Sequence, residues 1–154
     1  MKLRLIDIAS WTGGRLHGNG TSVDGVSTDT RTITPGALFV ALKGERYDAH
    51  DFVSTARERG ATAALVDHVV DADMPQIVVA DTLAALGELA RSVRSQRDAR
   101  VIGITGSNGK TTVKTLTASI LSRHGRTHVN VGNLHNEIGV PLTLLAMPSA
   151  GSSA

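Results

Sequence analysis

The sequence contains no cysteine, which excludes disulfides, thiolate metal sites and a cysteine nucleophile. Aromatic side chains are nearly as scarce. Trp11, Phe39, Tyr47 and Phe52 are the whole set, so burial falls to Leu, Val, Ile and Ala, as in α/β proteins with branched strands and alanine-rich helices. No apolar run approaches the roughly 18 residues that a membrane-spanning helix needs. Met1-Lys-Leu-Arg4 has the charge of a signal-peptide start, yet Asp7 interrupts the apolar run and no small-residue cleavage site follows. A soluble, cytoplasmic protein without membrane insertion is expected. The net charge is only +2. The nearest basic cluster, Arg91, Arg94, Arg97 and Arg100, has little aromatic interleaving, and Glu88 can pair with Arg91 at i, i+3, so it reads as a solvated helix face and no nucleic-acid partner is expected.

What is present is enough for a packed core: 41% hydrophobic residues in a chain of 154, the length of one ordinary domain or two small ones. The most informative stretch is Val101-Ile-Gly-Ile-Thr-Gly-Ser-Asn-Gly-Lys-Thr-Thr112. Val101, Ile102 and Ile104 suit a buried parallel strand, and Val113, Leu116, Thr117, Ile120 and Leu121 recur at the spacing of one helix face. Between strand and helix lies a glycine-broken loop. Such a loop lets successive N–H groups, here from Ser107 to Thr112, turn inward around an anion, and the helix start adds partial positive charge. Lys110 can reach the β and γ phosphates, and the Thr111 hydroxyl is placed to ligate Mg²⁺. The cofactors expected are therefore ATP, or a like triphosphate, and Mg²⁺, held by Gly106, Ser107, Asn108, Gly109, Lys110, Thr111 and Thr112, with Lys110 catalytic and Thr111 the metal ligand. The strict phosphate-loop pattern is incomplete, because Ile104 stands where its first glycine belongs.

Along the chain, strand and helix signals alternate. A short helix through Leu5, Ile8 and Ala9 stops at Gly13-Gly14, and Arg15–His17 forms a brief strand. One strand is expected over Val23–Ser27, another over Ala37–Leu42 after the Pro35-Gly36 turn. Asp48 caps a helix running through Phe52, Val53 and Ala56 toward Gly60; Thr62–Val66 and Gln76–Val79 are strands; Thr82 caps a helix carrying Leu83, Leu86, Leu89, Ala90 and Val93. The polar run Ser95–Arg100 marks a boundary, giving domains at 1–97 and 98–147, with a disordered tail at 148–154. No repeat appears at a solenoid period. After the loop helix only Thr127–Asn130 reads as a further strand, followed by a helix starting near Pro141. A doubly wound sheet around Val101 needs more strands than that, so the sequence reads as an N-terminal portion with an unfinished sheet.

With these residues placed, the chain resembles the Mur ligases of peptidoglycan synthesis. Ser27-Thr-Asp-Thr-Arg31, Pro35–Gly44 and Asp48-Ala-His-Asp-Phe52 resemble the family's nucleotide-sugar domain; Thr105–Thr112 resembles its ATP loop, missing glycine included. Gly132–Leu145 resembles the branch that adds D-alanyl-D-alanine, as against the diaminopimelate- or lysine-adding branch or folylpolyglutamate synthesis. The resemblance implies a small N-terminal α/β UDP-sugar-binding domain at 1–97, then the first part of a P-loop parallel-sheet ATPase domain at 98–147. It further implies an ATP-dependent amide ligase whose partners are UDP-MurNAc-tripeptide and D-Ala-D-Ala, acting through an acyl phosphate, monomeric in full-length form, with this portion inactive alone or acting as a UDP-sugar-binding module.

For the substrate residues two readings stand side by side. Ser27, Thr28, Asp29 and Arg31 bind the uridine diphosphate by resemblance, or form a turn tied to its own backbone with Asp29 pairing Arg31 or Arg46. Asn133 and Asn136 meet substrate at the carboxyl ends of strands, or cap a helix. By resemblance His50 lies near the sugar-nucleotide pocket; from the residues alone it is a surface or capping histidine, and the other histidines show no metal-ligand spacing.

Overall fold

Strands fully covered on both faces read as continuous apolar runs, and two such runs form the centre of this fold. A computed structural model describes residues 1–132 and 134–149. In it Leu38–Val40 (β5) and Ala63–Val66 (β6) are buried throughout and pair in parallel, Phe39 opposite Ala64. Gln76–Val78 (β7) continues the parallel sheet beside β6, and Val26–Ser27 (β4) lies along the far side of β5. Arg15–His17 (β2) closes the other edge antiparallel to β7, giving the order β2-β7-β6-β5-β4.

Alternation sends successive side chains to opposite faces. Leu38, Val40, Leu65 and Ile77 therefore join one core with Leu5–Thr12 (α1) and Thr82–Ser95 (α3), through Ile8, Leu86, Leu89 and Val93. Phe39, Ala64 and Val66 face the other way and pack with Val53 and Ala56 of Val53–Glu58 (α2). The result is a mixed α/β layer structure with helices on both faces of a mostly parallel sheet, as expected.

Several local expectations are corrected. Val23–Ser27 is two strands, because Gly25 turns the chain at φ 91°. Ser22–Asp24 (β3) pairs antiparallel with Lys2–Arg4 (β1), an unforeseen strand, while β4 enters the main sheet. The cap of α3 is Asp81, whose Oδ1 accepts from the N–H groups of Leu83 (2.9 Å) and Ala84 (3.0 Å); Thr82 is already inside the helix and buried. Asp48 does cap the next element as foreseen, accepting from the His50 N–H at the head of a 3₁₀ turn, Ala49–Phe52, that leads into α2.

The second half differs more. Val101–Ile104 forms no strand, and Val101 and Ile102 are exposed; among the described residues no strand lies alongside to pair with it. Thr127–Asn130 is unpaired for the same reason. The loop helix forms as expected at Lys110–Leu121 (α4), but its apolar stripe of Val113, Leu116, Ile120 and Leu121 stays exposed. Lys114 Nζ donates to the carbonyls of Asn130 (3.2 Å) and Gly132 (3.3 Å), holding that segment beside α4. Gly139–Leu145 (α5) packs on α3, with Leu145 buried in the first core and Ile138, Leu142 and Leu144 against it. Of the expected tail, residues 150–154 lie outside the described residues, as does Asn133.

Candidate functional site

Two sites emerge, one from each half. In the loop, Gly106 (φ 152°) and Gly109 (φ 75°) adopt backbone conformations that a side chain disfavours, and together they bend residues 106–109 into the start of α4. Gly109 is the N-cap residue and supplies no side-chain acceptor, and no acidic residue lies in the first turn. The leading N–H groups and the positive end of a 12-residue helix are thus presented to an anion. Lys110 folds back across the loop, its Nζ donating to the Gly106 carbonyl at 2.5 Å. Ser107, Asn108, Thr111 and Thr112 are exposed around this bend. The carbonyl of Thr111 accepts from the Thr115 hydroxyl. One exposed hydroxyl at this position fits Mg²⁺, which keeps several waters and draws its remaining ligands from phosphate and carboxylate oxygens.

The second site is a cavity of about 340 Å³ beyond the carboxyl ends of β4 and β5. Thr28, Asp29, Thr30 and Arg31 line one side; Phe39, Tyr47, Ala49 and Phe52 line the other. Three of the expected substrate residues meet here, and Ser27 stands behind them. Its hydroxyl donates to the Asp29 carbonyl (3.0 Å) and accepts from the Asp29 N–H (3.2 Å). Asp29 accepts from the Arg31 N–H and takes the Arg31 guanidinium on both oxygens, at 2.7–3.1 Å. That fork, with the backbone bond, holds the Asp29 carboxyl down at about 2. The stretch is therefore both a self-bonded turn and a pocket wall, and Asp29 pairs Arg31, not Arg46.

His50 is neither a surface residue nor a ligand of the cavity. It is buried, and both ring nitrogens are engaged: Nδ1 lies 2.5 Å from Asp48 Oδ1, and Nε2 accepts from the Asp67 N–H at 2.9 Å. The His68 ring stacks on it at 4.6 Å and its Nδ1 contacts Asp67 Oδ1. Lys43 Nζ reaches Asp67 Oδ2 (3.3 Å) and Asp48 Oδ2 (3.7 Å). Hydrogen bonds hold both carboxyls below their usual range, chiefly the one from the His50 N–H for Asp48 and the one from His68 for Asp67. His50, Asp67 and His68 place ligand atoms within 4.8 Å of one another, a grouping that sequence spacing does not reveal. It is built as a hydrogen-bond network, since the His50 Nε2 lone pair is taken by a backbone N–H and an ammonium already faces Asp67.

Asn136 caps: its Oδ1 accepts from the N–H groups of Gly139 (2.7 Å) and Ile138 (3.3 Å) at the head of α5. Asn133 lies outside the described residues. The sequence reading missed Phe39, Tyr47, Ala49 and Phe52 as pocket residues. A signal was available, because two of only four aromatics flank Asp48-Ala-His50.

Comparison with known proteins follows the same division. Residues 22–94 match the model of the Mur ligase family, catalytic domain, and residues 104–154 match that of the Mur ligase middle domain. The UDP-N-acetylmuramoyl-tripeptide–D-alanyl-D-alanine ligase of Escherichia coli K12 is 52% identical over 147 residues, which are 96% of this chain and 32% of that protein. A crystal structure of MurF from Acinetobacter baumannii superposes with a TM-score of 0.89 at 41% identity, over 96% of this chain and 33% of that one. A MurF ligase from Thermotoga maritima, solved in complex with ADP, gives 0.72 at 31% identity, over 82% of this chain and 30% of that one. The chain thus spans about a third of the length of the relatives it matches.

Proposed function

The chain belongs to the Mur ligase family, and on that premise we propose that it carries the nucleotide-sugar pocket and the ATP loop of a ligase joining D-alanyl-D-alanine to UDP-MurNAc-tripeptide. The observation that carries this reading is the loop itself. A glycine bend runs into the uncapped start of α4 with Lys110 folded over it, an arrangement that supports the binding of a triphosphate tail by main-chain amides and one ammonium.

In the proposed reaction the terminal carboxylate of the tripeptide attacks the γ-phosphorus of ATP. The bond to the departing ADP oxygen breaks and an acyl phosphate forms. The amine of D-Ala-D-Ala then attacks the acyl carbon, expels phosphate and loses a proton to give the amide. Phosphoryl transfer asks a protein mainly for positioning and charge neutralisation. Lys110 meets the β and γ charge, the N–H groups of Ser107–Thr112 cradle the phosphates, and the Thr111 hydroxyl would hold Mg²⁺. That ion would neutralise phosphate charge when bound.

Residues 1–97 form the UDP-sugar unit in this proposal and 98–147 the start of the ATP unit. Thr28, Asp29 and Arg31 contact the uridine diphosphate at the cavity wall, with Ser27 fixing Asp29. Asn133 and Asn136 are assigned in this proposal, by their place in the sequence, to the ATP unit, and Asn136 orders the head of α5. The working protein is proposed to be a cytoplasmic monomer. Among the described residues no helix is long and apolar enough to cross a membrane.

Calorimetry on this chain tests both sites. Mg-ATP and UDP-MurNAc-tripeptide should each bind one to one, with Lys110→Ala weakening only the first. A ligase built from this sequence and the remaining length of its relatives should release phosphate only when ATP, tripeptide and D-Ala-D-Ala are all present. Turnover with diaminopimelate, lysine or glutamate instead would move it to another branch. The packed five-stranded sheet beside the cavity, set against the uncovered α4, supports a second reading: a non-catalytic UDP-sugar-binding module, which would bind the tripeptide and ignore Mg-ATP.

A further inference from the structure

We propose that His50 is a positioning residue: its buried imidazole, as the Nδ1–H tautomer, ties the 47–52 wall of the cavity to the end of β6 and so sets the geometry in which a uridine nucleotide is held. This rests on the reading of the cavity given above. Three lining residues, Tyr47, Ala49 and Phe52, belong to one short segment, and His50 lies between the last two on the 3₁₀ turn Ala49–Phe52. Its neighbours open onto the cavity while its own ring is buried. Tyr47 and Phe52 remain 58% and 46% exposed, so little packing of their own fixes them.

The ring contacts favour one tautomer. Nε2 lies 2.9 Å from the Asp67 N–H and 3.2 Å from Asp67 Oδ1; with the shorter contact as an accepted hydrogen bond, the proton belongs on Nδ1, which donates to Asp48 Oδ1 at 2.5 Å. Asp67 immediately follows β6, the strand beside the one that bears Phe39. One end of the imidazole thus holds the rigid sheet. The other holds Asp48, whose carboxylate also accepts the His50 N–H and faces Lys43. Asp48 and Lys43 form a bridge that closes the loop carrying Tyr47, and the Gly44 N–H donates to the Tyr47 carbonyl at 2.9 Å. The charged and titratable groups around the ring are Asp48, Asp67, Lys43 and His68.

The test combines a spectroscopic signature with a rescue. Nitrogen-15 correlation spectra of the 154-residue chain should show His50 with Nδ1 protonated and Nε2 bare. Calorimetry with UDP, in a Lys110→Ala background that weakens phosphate binding at the glycine loop, reads the consequence. His50→Ala loses both ties and should weaken UDP about tenfold, the worth of one to two net hydrogen bonds. His50→Gln places an acceptor where Nε2 was and should recover most of that loss. His50→Asn reaches only the Nδ1 position and should not. Each variant is measured well below its own melting temperature, so lost stability alone leaves UDP affinity unchanged. Equal UDP affinity in all folded variants overturns the proposal, and so does an Nε2–H tautomer. If His50→Ala fails to fold, the tautomer and the Gln–Asn contrast still decide. A wild type that ignores UDP while showing the expected tautomer overturns the cavity reading, and with it the role in binding, but leaves the hydrogen-bond assignment intact.

Discussion

Lys110 Nζ lies 2.5 Å from the Gly106 carbonyl oxygen, so the ammonium of the proposed ATP loop closes the loop on itself. A neutral carbonyl is a weak partner for that charge, and a triphosphate is a far stronger one. Charge-assisted hydrogen bonds contribute about 1.5–3 kcal/mol. Lys110→Ala should therefore weaken Mg-ATP roughly 10- to 100-fold in a calorimetric titration. The side chain is exposed, so the melting temperature should hardly move. Affinity within twofold of wild type would assign the phosphate charge to the main-chain amides alone.

The cap of α3 makes a second prediction because the sequence pointed one residue too far along. Asp81 Oδ1 satisfies two N–H groups at the head of the helix that supplies Leu86, Leu89 and Val93 to the first core. Asp81→Ala should cost about 1 kcal/mol, and Asp81→Asn should cost less because the amide oxygen still accepts. Thermal unfolding followed by circular dichroism measures both. A destabilisation by Asn equal to that by Ala would show that charge at the helix end, not the hydrogen bond, is what matters.

A third prediction concerns pH. The Asp29 carboxyl is held at about 2 against an ordinary 3.8, first by the side-chain hydrogen bond from Arg31. Its folded value is depressed, so the stability it lends is complete above the ordinary value and fades as pH falls through about 2. Asp29 is about a third exposed, so solvent screens the pair and the effect on global stability should be small. A carbon-13 titration of the Asp29 carboxyl should find its midpoint near 2, and Arg31→Ala should raise it toward 3.8. An unchanged midpoint in that variant would make the backbone bond from residue 31 the dominant cause.

The parts of the fold that were legible in the sequence are those whose partners lie close along the chain. Buried runs such as Leu38–Val40 and Ala63–Val66 announce parallel strands, and the Leu86, Leu89, Val93 stripe announces the face of α3. The glycine bend and the helix that follows it were legible because two glycines, a lysine and threonines fall within seven residues, a spacing that turns the chain into a helix start. Val101–Ile104 was misread as a strand because its apolar pattern suits one, while pairing depends on neighbours that the described residues do not include. The cavity was half legible. Thr28, Asp29 and Arg31 sit on one turn, but Tyr47 and Phe52 reach them only through parallel pairing of β4 with β5. The bond between His50 and Asp67 joins residues 17 apart on different elements, which no periodicity reports.

Leu145 gives the last prediction. It is buried at 4% exposure where α5 packs on α3, although α5 follows the glycine loop in the chain. Core cohesion between the two halves therefore runs through one short helix, while α4 turns its own apolar stripe to solvent. Leu145→Ala should remove about 2–5 kcal/mol of packing at this contact. The sheet around β5 and β6 has a separate core of Phe39, Val53 and Val66 on its far face, so it should survive the loss. Hydrogen exchange should accelerate at residues 142–146 and stay slow at 38–40 and 63–66. Equal acceleration in both places would mean that α5 and the sheet unfold as one cooperative unit, and that the boundary between the two halves lies beyond α5, not before the glycine loop.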